Sequence, residues 1–570
     1  MNLGRGTVPS TPQMSGAAVY DNATFGAKML RFGRIYWRSI VVCVMPIALL
    51  PLILVYKTRS ARCGFVILLM GSYWATEAMP MAVTSLLPLA LFPVFGVLDS
   101  ATTCQCYVND TIMMFVGGLI FAIAIEHSKL HERIALRSMI AFGCNHKRLL
   151  GGLLCVTTFL SMWISNTACT SMMVPIVFAV LFELEKEGLG KVFESNADDP
   201  DEFPEPTQVT KAYLLGTAYA STFGGTATII GTGANLAFKG IFEDSFPDSP
   251  GIDFGQWMIW ALPQTVINVA LTWFYMLFFY MGWLRPNSVD ARNAEIGPEG
   301  MRVAKRIIRE KYSSLGKMNF HQIAVGILFL LCIFLMFFRS PGFISGWADR
   351  LPVDVEIKES TSLMLVAILL FVIPKDLAFI HAFSKNATIR PRKPSDALVS
   401  WKVVEEKVPW SLMFIFGGGF AISKGSLESG LSQKIGDSME ELFGLPPFAL
   451  LIVVCILMSV VTEFTSNIGV ANIILPIIAE MSVRAKIHPL YFMIPATLVV
   501  SHAFRFPTGT PPNAIVLAAG HIRIKSLVIG GCGVATYGPI VVILLFITWG
   551  RFIYKTDVYP DWADSYKKIN

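Results

Sequence analysis

Charge is what this chain has least of. Only 15% of its 570 residues are Asp, Glu, Lys or Arg, while 54% are hydrophobic; a soluble chain carries about 25% charge. With a mean hydropathy of +0.57, the composition is that of an integral membrane protein with several helical spans. The net charge of +6 is small for the length and lies in loops, so nothing points to nucleic acid as a partner. Ten cysteines are scattered, mostly within apolar runs, and none has zinc-type spacing, which argues against a disulfide scaffold or a metal centre. No Walker-type phosphate loop is present, which argues against ATP-driven pumping. His131-Glu132 begins a zinc-protease pattern, but Ala135 stands where its second histidine belongs. A cleavable signal peptide is not legible either: the first 38 residues are mostly polar and basic, and the first apolar run, 40–56, fits a spanning helix. Met1-Asn2 lacks the glycine that N-myristoylation needs.

What the chain has in abundance is long apolar stretches, and two are too long. Residues 149–182 would measure about 51 Å as one helix at about 1.5 Å per residue, against a hydrocarbon core of about 30 Å. The run must bend or break, and Ser165-Asn166-Thr167 is the polar cluster placed to turn it. A turn at membrane depth survives only where protein covers it or it lines a watery cavity, because lipid cannot satisfy the freed backbone groups. The same holds for residues 448–481, interrupted by Thr462-Glu463-Phe464-Thr465-Ser466-Asn467-Ile468. Further apolar segments lie near 65–74, 83–98, 111–125, 212–239, 257–283, 321–338, 362–373, 410–422, 491–519 and 527–552.

The two long runs belong to two similar halves. Met114-Phe115 and Phe121-Ala122-Ile123 recur as Met413-Phe414 and Phe420-Ala421-Ile422, each pair flanking a glycine cluster. Ser165-Asn166 and Pro175-Ile176 recur 301 residues later as Ser466-Asn467 and Pro476-Ile477, and Gly231-Thr232-Gly233-Ala234-Asn235 recurs 278 residues later as Gly509-Thr510-Pro511-Pro512-Asn513. An acidic insert at 183–205 accounts for the difference. Loop charge sets the orientation. Residues 127–148 contain five Lys/Arg, whereas 424–445 contain two Lys/Arg and four acids. By the positive-inside rule the first loop is cytoplasmic and the second external, which makes the repeat an inverted one; the basic loop 57–62 falls outside on this scheme and stands against it. Inverted repeats whose broken helices meet at the midplane mark secondary transporters.

The chain therefore divides into a cytoplasmic N-terminus (1–38), a first span (39–63), a first repeat (64–284), a cytoplasmic linker (285–320), a second repeat (321–552) and an extracellular C-terminal tail (553–570). Sequons open at Asn22, Asn109 and Asn386; the first and last are expected in the cytoplasm and Asn109 abuts the membrane, so glycosylation is not expected.

At the turns, Ser165, Asn166 and Thr167 offer hydroxyl and amide groups that donate or accept, and the freed backbone N–H groups suit a carboxylate. Ser161 stands one helical turn before Ser165, as Thr462 does before Ser466, on the same helical face. Gly231 and Gly509 allow close backbone approach, and Pro511-Pro512 ends a helix while freeing carbonyl oxygens. Uncharged clusters of oxygen suit Na⁺. The plainer reading is that Ser-Asn and Gly-Thr pairs only cap helices inside a bundle; their recurrence in both halves weighs against it.

At these residues the chain resembles the divalent-anion/sodium symporter family, the INDY-type carboxylate transporters, and the insect members most. The motifs that carry the resemblance are Trp163-Ile164-Ser165-Asn166-Thr167-Ala168, Thr462-Glu463 with Ser466-Asn467, and Thr510-Pro511-Pro512-Asn513-Ala514-Ile515. Tyr73-Trp74 with Thr76-Glu77, Gly417-Gly418-Gly419-Phe420-Ala421 and Asn472-Ile473-Ile474-Leu475-Pro476 support them. The resemblance implies an all-α polytopic fold of about eleven spans, with two re-entrant hairpins tipped by the Ser-Asn motifs and two broken helices. It also implies a homodimer in the plasma membrane, elevator-type alternating access, and no enzymatic activity. Carried over residue by residue, one sodium site would use Ser161, Ser165, Asn166 and Gly231, and a second Thr462, Ser466, Asn467 and Gly509. A carboxylate substrate would touch Asn166, Thr167, Ser466, Asn467, Thr510 and Pro511. No cofactor is implied beyond Na⁺ as coupling ion.

Two departures refine this. Ile468 replaces a threonine at the third position of the second motif, as in citrate-taking members of the family, and Thr510 matches the carboxylate branch; together they favour di- and tricarboxylates over sulfate. Arg505 stands where sodium-coupled relatives carry an apolar residue, four residues before Gly509 and so one helical turn from the second ion site. A cation at that depth is costly and is a functional candidate by default: either its guanidinium supplies fixed charge that weakens sodium dependence, or it pairs with Glu463 or snorkels. A sodium-independent carboxylate exchanger, a sulfate or anion transporter, an anion channel and a membrane-embedded enzyme are the competing readings.

Overall fold

Polar residues at the ends of the apolar runs cap the helices, and Ser-Asn or Gly-Thr clusters inside them break the helices. The computed structural model describes residues 25–142, 145–188, 190–194, 204–295, 297–340, 344–352, 355, 357–383, 390–391, 393–438 and 445–567; Asn22 and Asn386, with their sequons, lie outside these. Among the described residues the fold is helical, with one short antiparallel pair, Phe193–Glu194 with Glu205–Pro206, and an isolated bridge between Pro374 and Ala397. The antiparallel pair closes the base of the acidic insert.

The run 149–182 divides into helices His146–Ser161 and Asn166–Lys186, and the run 448–481 into Pro447–Val461 and Asn467–Arg484. These are the two expected hairpins. After each comes a helix broken in the middle: Gln208–Thr226 and Gly233–Ser245 in the first half, Pro489–Val500 and Pro511–Gly520 in the second. Thr207, Asn109, Asp253 and Asn319 each start a helix by accepting a hydrogen bond from a backbone N–H of the first turn. The order of a long helix, a short amphipathic helix, a hairpin, a broken helix and a closing helix occurs twice, beginning at Asp110–His127 and at Ser411–Glu428.

Packing within and between the halves is reciprocal. Gln208–Thr226 lies against both arms of the first hairpin, and Pro489–Val500 lies against both arms of the second. The remaining half-helices cross over: Gly233–Ser245 packs on Asn467–Arg484, and Pro511–Gly520 packs on Asn166–Lys186. Outside this group, Asp110–His127, Phe320–Phe337 and Glu359–Val372 pack on one another.

Several boundaries differ from expectation. Among the described residues, seven helices are long and apolar enough to cross a membrane, and four shorter apolar ones accompany them, against the eleven spans expected. Helix Phe25–Tyr56 begins before the expected N-terminal boundary, and Arg59–Thr76 already includes residues 59–63; Lys57, with φ 49°, separates the two. The apolar stretch 83–98 is two pieces, Met81–Thr84 and Leu87–Val94, because Pro88 can start a helix but cannot continue one. Two stretches expected as loops contain helices, Leu130–Phe142 and Pro298–Ser314. The second buries Ala304, Ile307 and Ile308 at helical spacing against the first, and hydropathy alone passes over such a narrow apolar stripe. The outgoing arm of the first hairpin runs through Glu183 to Lys186, so the acidic insert begins later than expected.

Candidate functional site

The first tip forms because Trp163 and Ile164 both close back onto the Leu160 carbonyl, ending the helix, after which Ser165 turns extended (φ −55°, ψ 143°) and caps the next one. Its hydroxyl accepts from the Ala168 N–H at 3.3 Å. The capping role is therefore real for Ser165. It does not exhaust the tip, because Asn166 points elsewhere. The Ser161 hydroxyl stands 2.8 Å from Asn166 Oδ1 and 2.7 Å from the Ser221 carbonyl oxygen, and the Asn166 amide lies directly against Gly225. Ser161 and Ser165 do not share a helical face as expected: the helix stops at Ser161, and Ser161 meets Asn166 across the turn.

The second tip repeats this geometry. Thr462 Oγ1 donates to the Val500 carbonyl at 2.5 Å. Oriented by its partners, the Asn467 amide nitrogen faces Thr462 Oγ1 at 2.7 Å, the Gly509 carbonyl at 3.0 Å and the Val500 carbonyl at 3.3 Å. Each hairpin is thus hydrogen-bonded to the broken helix of its own half by one hydroxyl, and one asparagine lies against that helix, bonded to it in the second half and packed on Gly225 in the first. Ser466 precedes the second helix as Ser165 does the first, but its side chain makes no cap.

The breaks are held open by matched asparagines. Asn235 Nδ2 donates to the Thr228 carbonyl at 2.8 Å, and Asn513 Nδ2 donates to the Ala503 and Phe506 carbonyls at 3.1 Å each. Gly231 presses on the Gly225 carbonyl, and Gly509 faces the Thr462 and Glu463 carbonyl oxygens; a side chain at either would fill that space. Among the contacts that join the halves at this level, Ile468 packs on Gly233, the hydroxyls of Thr232 and Ser501 lie 3.4 Å apart, and Phe223 packs on His502 and Phe504. Ser165, Thr167 and Pro511 are exposed, Asn166, Ser466, Asn467 and Ile468 are half-buried, and Gly231, Gly509 and Thr510 are buried. Each tip thus lies beside the broken helix of its half, among neutral hydroxyl, amide and carbonyl groups, the donor chemistry of a hard cation.

Arg505 is placed differently from expectation. Residues 501–510 are not helical, so it is not one helical turn from Gly509. Its guanidinium reaches Glu463 at 3.5 Å. That carboxylate is buried at 2% exposure, and its two oxygens also accept the backbone N–H groups of Phe504 (3.1 Å), Arg505 (2.9 Å) and Phe506 (3.3 Å). This clamp was not legible in the sequence beyond the pairing itself. Ser221 and Gly225 were missed too, since neither belongs to a repeated motif, whereas the matched positions of Asn235 and Asn513 could have revealed their role.

The family described as the sodium:sulfate symporter transmembrane region matches residues 34–555. The chain belongs to that family. Among its relatives, "Protein I'm not dead yet" of Drosophila melanogaster is 41% identical over 93% of this chain and 92% of its own. The Na(+)/citrate cotransporter of Rattus norvegicus is 38% identical over 92% of this chain and 96% of its own, and Na(+)/dicarboxylate cotransporter 3 of the same species is 36% identical over 93% and 94%. This symporter-family member is thus a multi-pass membrane protein, and its family and relatives are transporters rather than enzymes.

Proposed function

We propose that this protein is a secondary-active carrier of di- and tricarboxylates, working by alternating access of an elevator type. The observation that carries the reading is the matched pair of tips, each hydrogen-bonded by a hydroxyl to the broken helix of its own half and packed on it through an asparagine. The citrate and dicarboxylate cotransporters among its relatives support the substrate class, as do Ile468 and Thr510. Asn166, Thr167, Ser466, Asn467, Ile468, Thr510 and Pro511 hold the carboxylate. Na⁺ fits two oxygen clusters: Ser161, Ser165, Asn166 and Gly231 in the first half, and Thr462, Ser466, Asn467 and Gly509 in the second. The carrier is a homodimer in the plasma membrane, its repeats inverted, its N-terminus cytoplasmic and its C-terminus outside.

Arg505 makes sodium dependence at the second cluster weak. With Glu463 it forms a neutral pair beside Gly509, so the carboxylate has no need of a mobile cation. In Arg505→Met the same carboxylate is left without a counter-ion next to the Thr462 and Glu463 carbonyl oxygens, and a cation is the natural replacement. Radiolabelled citrate and succinate uptake into proteoliposomes, in Na⁺ or in choline, tests both points. The expected results are saturable uptake with counterflow, wild-type flux largely retained in choline, and flux in Arg505→Met that requires Na⁺. A non-saturating conductance would identify a channel instead, and complete loss of wild-type uptake in choline would remove the role given to Arg505.

A further inference from the structure

The half-helix Gly233–Ser245 begins at the site and ends in a cluster of charge. Lys239 lies about 9 Å along it from Gly233 and Glu243 about 15 Å, at about 1.5 Å per residue. Lys239 is buried at 2% exposure, with its ammonium 3.4 Å from Glu359, also at 2%. Lys358 lies 3.3 Å from Glu243, and Arg339 lies 3.3 Å from Asp253. Each of these three pairs joins a group from residues 239–253, attached to the broken helix, to a group from 339–359, attached to the helices Phe320–Phe337 and Glu359–Val372. Lys239–Glu243 at 2.6 Å and Arg339–Glu359 at 3.1 Å link these pairs into one continuous chain of three cations and three carboxylates. A polar cavity of about 170 Å³ runs along it, bordered by Lys239, Glu243, Arg339, Lys358 and Glu359.

A permanent joint has little reason to be built this way. Apolar residues of similar volume usually hold a buried contact as well as ion pairs do, or better. Charges differ in one respect: once separated, they enter water readily, and the cavity already brings room for water to them. We propose that this six-charge seam parts and re-forms each time the carrier changes the side to which its site opens, with Lys239 as the positioning residue that sets the half-helix in the closed arrangement. The proposal rests on the alternating-access reading above.

Two experiments on the full-length protein in proteoliposomes test it. In Glu243→Cys/Lys358→Cys, a bis-methanethiosulfonate cross-linker bridges the seam, with both single-cysteine variants as controls. Bridging lowers citrate counterflow at least about tenfold relative to the controls, as expected when a required separation is blocked, and dithiothreitol restores it. Counterflow that persists in protein shown by mass spectrometry to be bridged would overturn the proposal. In the second experiment Glu243→Lys alone lowers flux, and adding Lys358→Glu recovers it; a double variant no better than the single one would also overturn it. Absence of carboxylate flux in the unmodified protein would instead overturn the carrier reading, so the two failures are distinct.

Discussion

Alanine at Gly225 abolishes carboxylate uptake while leaving the protein folded. A Cβ there would fall on the Asn166 side-chain amide, closer than real Cβ contacts come. The neighbour cannot move away freely, because Asn166 stands 2.8 Å from Ser161, itself fixed to the Ser221 carbonyl. Overpacking of this sort costs about 1–3 kcal/mol, which is about five- to 150-fold in an equilibrium constant, and here it falls on the asparagine that packs the first tip against its broken helix. Gly118→Ala is the control: its nearest neighbour would be Leu363 Cδ2 at 3.7 Å, an ordinary contact, and uptake is unchanged. Uptake of labelled succinate, with size-exclusion profiles of both proteins, checks the pair. Wild-type flux in Gly225→Ala would show that Asn166 has no part in transport.

Glu463→Ala is the substitution with the largest effect on stability. It leaves three consecutive backbone N–H groups and a guanidinium without the carboxylate that now receives them. Breaking a buried ion pair from one side costs about 3–5 kcal/mol, and the melting temperature in detergent falls accordingly. Glu463→Gln, which keeps one acceptor oxygen, falls less. Adding Arg505→Met to Glu463→Ala recovers part of the loss, because no cation is then stranded. Unchanged melting of Glu463→Ala would mean that water already serves the loop 504–506 and that the clamp contributes nothing.

Much of this architecture could be read from sequence because membranes leave few options. Runs such as 149–182 and 448–481 are too long to cross once, so polar residues within them must turn, and Ser165 and Ser466 do stand at the turns. Repetition located the breaks, since Gly231 and Gly509 follow their hairpins in the same order once the acidic insert of the first half is set aside. Contacts between distant segments were a different matter. Nothing near Glu463 in the chain shows that its oxygens face the N–H groups of 504–506, since the seam between 239–253 and 339–359 and this clamp are both made by residues far apart in sequence. The position of Arg505 was misjudged for a local reason: counting four residues to Gly509 assumed helix where Pro507, Thr508 and Gly509 prevent it. Helix Pro298–Ser314 escaped notice because its outer face is basic, and average hydropathy conceals the stripe of Ala304, Ile307 and Ile308.

The crossing of the half-helices bears on how such a chain is made. Pro511–Gly520 completes the surroundings of Asn166–Lys186, and Gly233–Ser245 those of Asn467–Arg484. The amino-terminal half therefore leaves the ribosome with an unfinished flank that only its sister, synthesised some hundreds of residues later, can cover. Biogenesis has to shelter that flank in the meantime, and severing the chain between the halves would yield two fragments that mature only when co-expressed.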